Sequence, residues 1–320
     1  MANPKILWQW LVTALDRREP AALLIVVDSI GSSPGTIGAK MAVTQQACVG
    51  TIGGGAMEAA LIKSTRVLLK KRESQPQLVR RAHHHSDKIE NSGMICGGEQ
   101  TVLIYPCQQK DQIIFEELIT SLQHKAPKTL RISVEGLKVL PTKDSLSSPI
   151  FDKKDPWCYQ ETIGRYKRAY IIGAGHISLA LSQILNMLAF DITVLDDRKN
   201  LDSMQTNTYA EQKWCLSYAD IDKHIPEGTD IFVFIMTHSH HCDELVLTKL
   251  AGKQFAYLGL LGSHHKIDSM KQSLAQKHPN IQLQHLHAPI GLAIKSHTPE
   301  EIAVSIAAEI IKILNTKFND

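Results

Sequence analysis

The sequence predicts an α/β protein: an N-terminal α/β domain followed by a C-terminal doubly wound parallel sheet. Three observations carry this. Short β-like apolar runs alternate with segments of helical period along most of the chain. The alternation becomes a regular β, α, β rhythm after residue 167. Glycine-rich turns stand where one period gives way to the other. With 320 residues, 43% hydrophobic and 21% charged, the chain has the length of about two domains, each able to bury its own core. The reading divides it into an N-terminal domain at 1–140, a linker at 141–166 and a C-terminal domain at 167–320.

Residues 5–17 have helical spacing. "AALLIVVDSI" is a strand that ends at a loop of breakers, "GSSPGTIG". "AKMAVT" and "CVGTI" are short strands. From Ala56 to Arg72, Met57, Leu61, Val67 and Leu68 follow a helical period. "QLVRRAHHH" and "QTVLIYP" read as strands around a glycine-bearing loop, "NSGMICGGE". A helix near 111–123 and a strand near 129–134 complete the first domain. Residues 141–166 show serine and proline punctuation and no clean period, hence the linker assignment. Beyond it, "RAYIIGAGH", "DITVLDDR", "DIFVFIMTHSH" and "FAYLGLLGS" are four strands, with helices at "ISLALSQILNMLAF", 243–251 and 264–277. "PEEIAVSIAAEIIKIL" is a final helix with proline in its first turn and glutamates at its positive end.

The formal charge of +3 is spread along the chain. The longest basic cluster, Lys70-Lys71-Arg72, ends a predicted helix, where cations suit the dipole, and no nucleic-acid partner is expected. The opening residues lack the h-region of a signal peptide, and the longest apolar run, "AALLIVV", is too short to span a bilayer. Six cysteines without a framework read as free thiols in a reducing compartment. A cytoplasmic protein without membrane contact is expected.

Two glycine turns carry candidate binding chemistry. In "CVGTIGGGAMEAALIKS", Gly53, Gly54 and Gly55 strip side chains from a strand-to-helix turn where backbone amides converge. In "IIGAGHISLAL", Gly173 and Gly175 precede His176, with Ser178 where a third glycine would stand. Asp196 and Asp197 end the next strand, Asp196 lying 23 residues after Gly173, where an acid takes ribose hydroxyls. Strand, turn, helix, strand and acid in this order make the second domain Rossmann-like. Its scaffold is open to a dinucleotide of NAD or cytidine and guanosine type, or to some other use.

In "MTHSHHCDE", His238, His240, His241, Cys242 and Asp243 follow a strand. Such a set could bind zinc, but the order is not that of a helical H-E-x-x-H site, and a ligand-facing loop is the preferred reading. The histidines of "HHH" at 83–85 read as a solvated strand end. Cys96, in "GMICGGE", is collared by glycines and is either a soft metal ligand, a sulfur acceptor or a small buried hydrophobe.

Four motifs together resemble the XdhC/CoxI family: "GSSPGTIGAKMAV", "GTIGGGAMEAAL", "GMICGG" and "HAPIGLAIKSHTPEEIAVSIAAEI". The resemblance covers 20–115 and 168–313, and "LLGSHHKI", with Gly262 and Ser263, is similar to the family's Gly-Ser-x-x-Lys turn. The family's proteins are xanthine dehydrogenase accessory proteins. The resemblance implies a molybdenum cofactor chaperone, not a catalyst. Such a protein binds molybdopterin, keeps it during sulfuration by a cysteine desulfurase, and hands it to apo-xanthine dehydrogenase or a related molybdenum hydroxylase. A homodimer and a cofactor seat between the domains are also implied. On this reading Gly53–Gly55 cradle the cofactor's phosphate with Lys40 as counter-charge. Glu58 meets pterin N–H groups or caps the helix, and Cys96, Gly97 and Gly98 line the pocket, Cys96 being a candidate molybdenum contact. Where the family often carries a basic residue after its serine/threonine-proline, this chain has Gly35 and Thr36. The alternatives are an NAD-dependent oxidoreductase and a metal-dependent hydrolase built on His238, His240 and Asp243.

Overall fold

The structure is a computed structural model that describes residues 4–31, 35–82, 98–142, 149–164, 166–279 and 281–316. The chain forms two compact units, Met1–Arg165 and Tyr166–Asp320.

The first unit runs α1 (Pro4–Asp16), β1 (Ala21–Ile30), β2 (Lys40–Thr44), β3 (Cys48–Gly50), α2 (Gly55–Lys70), β4 (Gln77–Ala82), β5 (Glu99–Pro106), α3 (Gln112–His124), β6 (Lys128–Ser133), β7 (Gly136–Pro141), β8 (Ile150–Asp152) and β9 (Cys158–Ile163). Among the described residues these strands make two antiparallel sheets, ordered β3-β2-β1-β5-β4 and β7-β6-β9-β8. The unbroken apolar run of β1 reflects its central place. Ala22, Leu24 and Val26 pack with Met57, Leu61 and Leu69 of α2, while the pleat turns Leu23 and Ile25 to the other face, where they are equally buried. Trp8 of α1 stacks on Phe115 of α3. The buried stripe of α2 is Met57, Leu61, Thr65 and Leu69, a strict four-residue step, and Val67, expected on that stripe, faces solvent.

Residues 141–166 are not simply a linker. They carry β8 and β9, and β9 pairs with β6 over its full length. The period-2 pattern of β9 was hidden because one inward position, between Tyr159 and Ile163, is the acid Glu161.

The second unit runs β10 (Lys167–Ile172), α4 (His176–Met187), β11 (Phe190–Asp196), α5 (Asp202–Gln205), β12 (Gln212–Cys215), α6 (Ile221–His224), β13 (Gly228–Ile235), α7 (His240–Leu250), β14 (Phe255–Leu260), α8 (His264–Lys277), β15 (Leu286–His287) and α9 (Pro299–Thr316). Its parallel sheet is ordered β12-β11-β10-β13-β14-β15, so the strand order reverses between β10 and β13. Alternate residues serve opposite faces. Ala169, Ile171, Phe232 and Phe234 pack under α4 and α9 through Leu181, Leu185, Ile306 and Ile310. Tyr170, Ile172, Val233 and Ile235 pack under α7 and α8 through Val246, Leu250, Ile267 and Leu274. This two-sided burial is what makes the unit Rossmann-like and doubly wound. The residue pattern predicts four of these six strands. The two it lacks, β12 and β15, are short outer strands without an apolar run.

The "PIGL…TPEEIAVSIAAEI" ending is a packing device. Glu309 of α9 accepts hydrogen bonds from Tyr257 Oη at 2.6 Å and Gly291 N at 2.7 Å, and its other oxygen lies 3.0 Å from His287 Nδ1. Gly291 has φ +94°, and a Cβ there would fall 2.5 Å from Ser305 Oγ. The motif thereby ties α9 to the edge of the sheet. Among the described residues no helix is long and apolar enough to cross a membrane.

Candidate functional site

The first glycine turn joins β3 to α2. Gly53, Gly54 and Gly55 have φ of +129°, +76° and +71°, a left-handed run that side chains with a Cβ resist. Gly54 is the N-cap of α2, without a side-chain cap, and nothing lies within 4 Å of a Cβ built on it. The helix start is thus open from that side. From the other side the turn is closed by its own helix. Glu58 Oε2 accepts from Thr51 Oγ1 at 2.7 Å and from the amides of Ile52 and Gly54, each at 2.9 Å. Burial pushes the Glu58 carboxyl up, but the Thr51 hydroxyl and the two amides outweigh it and hold it below the usual range. Of the two roles expected for Glu58, the structure shows the capping one.

Other motifs of the first unit converge on this turn. A Cβ on Gly35 would sit 2.2 Å from Ile52 O, and buried Gln100 donates from Nε2 to the same carbonyl at 2.9 Å. Gly35 belongs to "GSSPGTIGAK" and Gln100 follows "GMICGGE". Gly98 is buried just ahead of β5, and Glu99 pairs with Arg80. The expected pocket residues Cys96 and Gly97, and the histidines at 83–85, lie outside the described residues.

Lys40 departs from its expected role. Its Nζ donates to Glu161 Oε2 at 2.6 Å and to Gly38 O at 2.8 Å, and both side chains of the ion pair are largely buried. Its charge is met within the protein, so it is not a spare counter-charge for a phosphate. Glu161 gave no sign of this in the sequence, because its partner is 121 residues away.

The second glycine turn joins β10 to α4. Gly173, φ +108°, passes so close to β13 that a Cβ would lie 2.2 Å from Met236 O. Gly175 is the N-cap of α4, again without a side-chain cap and with open space beside it, and His176 is exposed at the first helical position. Asp196, expected to take ribose hydroxyls, is fully buried and committed elsewhere. It accepts from Ala174 N at 2.7 Å, and from Arg198 N, Nε and Nη2, each at 2.9 Å. Burial raises its carboxyl, but Arg198 and the amides win and hold it below the usual range. A buried carboxylate with this many donors fixes the turn from within and leaves Asp197, which is exposed, as the acid at the rim.

Asp243 is likewise structural. Fully buried, it accepts from Thr237 N at 2.9 Å and Oγ1 at 2.6 Å, and from Lys266 Nζ at 2.5 Å. The Gly262-Ser263-x-x-Lys266 turn explains the last contact. Ser263 Oγ caps α8 by accepting from Lys266 N, and Lys266 reaches back to Asp243. A hydrolase centre on His238, His240 and Asp243 is therefore not assembled. The structure instead groups His238 and Cys242 of that motif with Asp197.

The comparisons agree with this division into two units. The model of the XdhC and CoxI family matches residues 14–81, and that of the XdhC Rossmann domain matches residues 169–310. The protein YqeB of Escherichia coli (strain K12) is 28% identical over 302 residues, which is 92% of this chain and 44% of YqeB. A probable xanthine dehydrogenase subunit from Bacillus subtilis (strain 168) is 29% identical over 171 residues, 53% of this chain and 50% of that protein. The chain thus spans about half the length of the curated relatives it matches. A crystal structure of a xanthine dehydrogenase from Bacillus halodurans has the same fold, with a TM-score of 0.73 at 24% identity, covering 97% of this chain and 96% of that one. Matched in both units by models of one family, the chain belongs to the XdhC and CoxI family.

Proposed function

We propose that this chain is an accessory protein for maturation of xanthine dehydrogenase or a related molybdenum hydroxylase, and that it binds the molybdenum cofactor and passes it on without catalysing a reaction of its own. The observation that carries the reading is the packing of Gly35 and Gln100 against the Ile52–Gly55 turn, which leads into a helix start with no N-cap side chain. Family membership and the relative from Bacillus subtilis support xanthine dehydrogenase as the client.

The residues fit molybdopterin on one side of the turn. The open face above Gly54 admits a phosphate to the first-turn amides of α2, where the helix dipole favours an anion. The other side is already filled by Glu58, which excludes an anion there and suits N–H donors such as those of a pterin. When bound, the cofactor brings the molybdenum centre of the client. The chain's own residues hold the phosphate and keep the turn in its left-handed path. A cysteine desulfurase as sulfur source, a homodimer, and Cys96 as a molybdenum contact belong to the same proposal.

The oxidoreductase alternative loses one of its two acids, since Asp196 is taken by Arg198 and Ala174 and only Asp197 stays at the rim. The test of the proposal is transfer. Chain loaded with molybdenum cofactor, added to apo-xanthine dehydrogenase, should restore activity faster than free cofactor does. Failure of the chain to retain the cofactor, or to speed activation, contradicts it.

A further inference from the structure

The Asp197, His238 and Cys242 side chains meet at the carboxyl end of the parallel sheet. Cys242 Sγ lies 3.8 Å from His238 Nε2, and His238 Nδ1 lies 3.7 Å from Asp197 Oδ1. One donor atom from each of the three lies within 4.8 Å of the other two, and no other such group of three occurs among the described residues. We propose that Asp197, His238 and Cys242 form a binding site for a divalent cation of the zinc class.

The donor set argues for that class. A sulfur, an imidazole nitrogen and a carboxylate oxygen match the borderline softness of zinc, whereas calcium and magnesium take oxygen shells. Three protein ligands also leave a fourth position for water or an outside ligand. Each of the three is held by its neighbours. Asp197 follows Asp196, which is locked to Arg198 and Ala174. His238 stands between Thr237, bonded to Asp243, and Ser239, the N-cap of α7. Cys242 N donates to Ser239 Oγ at 3.1 Å, which fixes the first turn of α7. Asp243 does not compete for the metal, because Thr237 and Lys266 occupy it. Such supporting contacts orient metal ligands at natural sites.

Position gives the site a consequence. Asp197 follows β11 and His238 follows β13, and these strands flank β10. Their contact therefore spans the end of β10, where the Gly173–Gly175 turn begins α4. Without a cation, the Asp197 carboxylate repels an anion from that turn. With one, the Asp197 carboxylate and the Cys242 thiolate are neutralised, the repulsion is removed, and the fourth position accepts an anionic oxygen.

Cobalt(II) is the probe, because a thiolate ligand gives a sulfur-to-metal charge-transfer band. Titration of the full reduced chain should show that band saturating at a single equivalent and bleaching when zinc is added. Cys242→Ser should abolish it. Asp197→Asn should keep the band but weaken affinity by at least the roughly 10- to 100-fold cost of losing a ligand's supporting contact. In the unaltered chain, zinc should slow alkylation of Cys242 but not of exposed Cys48 or Cys215, a reading that needs no variant to fold. No band in the unaltered chain, a band that survives Cys242→Ser, undiminished affinity in Asp197→Asn, or alkylation of Cys242 untouched by zinc would each overturn the assignment.

Discussion

The two glycine turns of this protein look alike in sequence and differ in what closes them. Each leads into a helix whose N-cap is a glycine with no side-chain cap and open space beside it, Gly54 in one and Gly175 in the other. In the first, the closing carboxylate comes from the helix itself, as Glu58 folds back onto the amides of Ile52 and Gly54. In the second it comes from the neighbouring strand, as Asp196 takes the amide of Ala174 and is neutralised by Arg198. A glycine run thus marks a backbone path, but the ligand that path can accept depends on where the protein has placed its own charges. The first turn keeps an anion-accepting face beside Gly54. The second carries Asp197 at its rim.

The largest effect should come from Gly173→Ala. Its φ of +108° and the approach to Met236 O leave no room for a Cβ, so a loss of about 4 kcal/mol or outright misfolding of the second unit is expected. Gly175→Ala, with φ −78° and open space, should stay within about 0.5 kcal/mol. Calorimetric unfolding of both variants checks this, and equal losses would break the distinction within the turn.

Lys40→Met comes next. It strands the buried Glu161 carboxylate and should cost about 3 kcal/mol, most of it regained in the double variant with Glu161→Leu. If Lys40 served a bound phosphate instead, the single variant would keep its stability and lose affinity.

Asp196→Asn should cost about 2 kcal/mol near neutral pH, the scale of hydrogen bonds to a charged group. Because the folded-state pKa of Asp196 lies below its unfolded value, the stabilisation is complete above about pH 4 and is lost as pH falls through the folded pKa. The gap between the unaltered chain and Asp196→Asn should therefore narrow in acid, as followed by denaturant unfolding across pH. A gap that widens on acidification would contradict the role given to Arg198.

Much of the architecture was legible because it rests on period and punctuation. The alternating faces of β10 and β13 and the stop at Gly173 appear directly as residue pattern. What escaped was set by which side chains the fold brings into contact. Glu161 disguised β9 as linker because an acid stood on an inward position, and only the fold brings Lys40 to it. Asp196 was correctly placed at a strand end, but its role turned on Arg198, two residues along, curling back onto it. Cys242 and His238 stood together in one motif, but their third neighbour, Asp197, follows β11 and is brought to them only by the fold.

The most direct test of the central claim is a titration of molybdenum cofactor against the unaltered chain, Gly54→Val and Gly175→Val, each checked for retained secondary structure. The account predicts that Gly54→Val binds at least about tenfold more weakly, a difference of about 1.4 kcal/mol, while Gly175→Val binds like the unaltered chain. Equal binding by all three, or a loss confined to Gly175→Val, would contradict it.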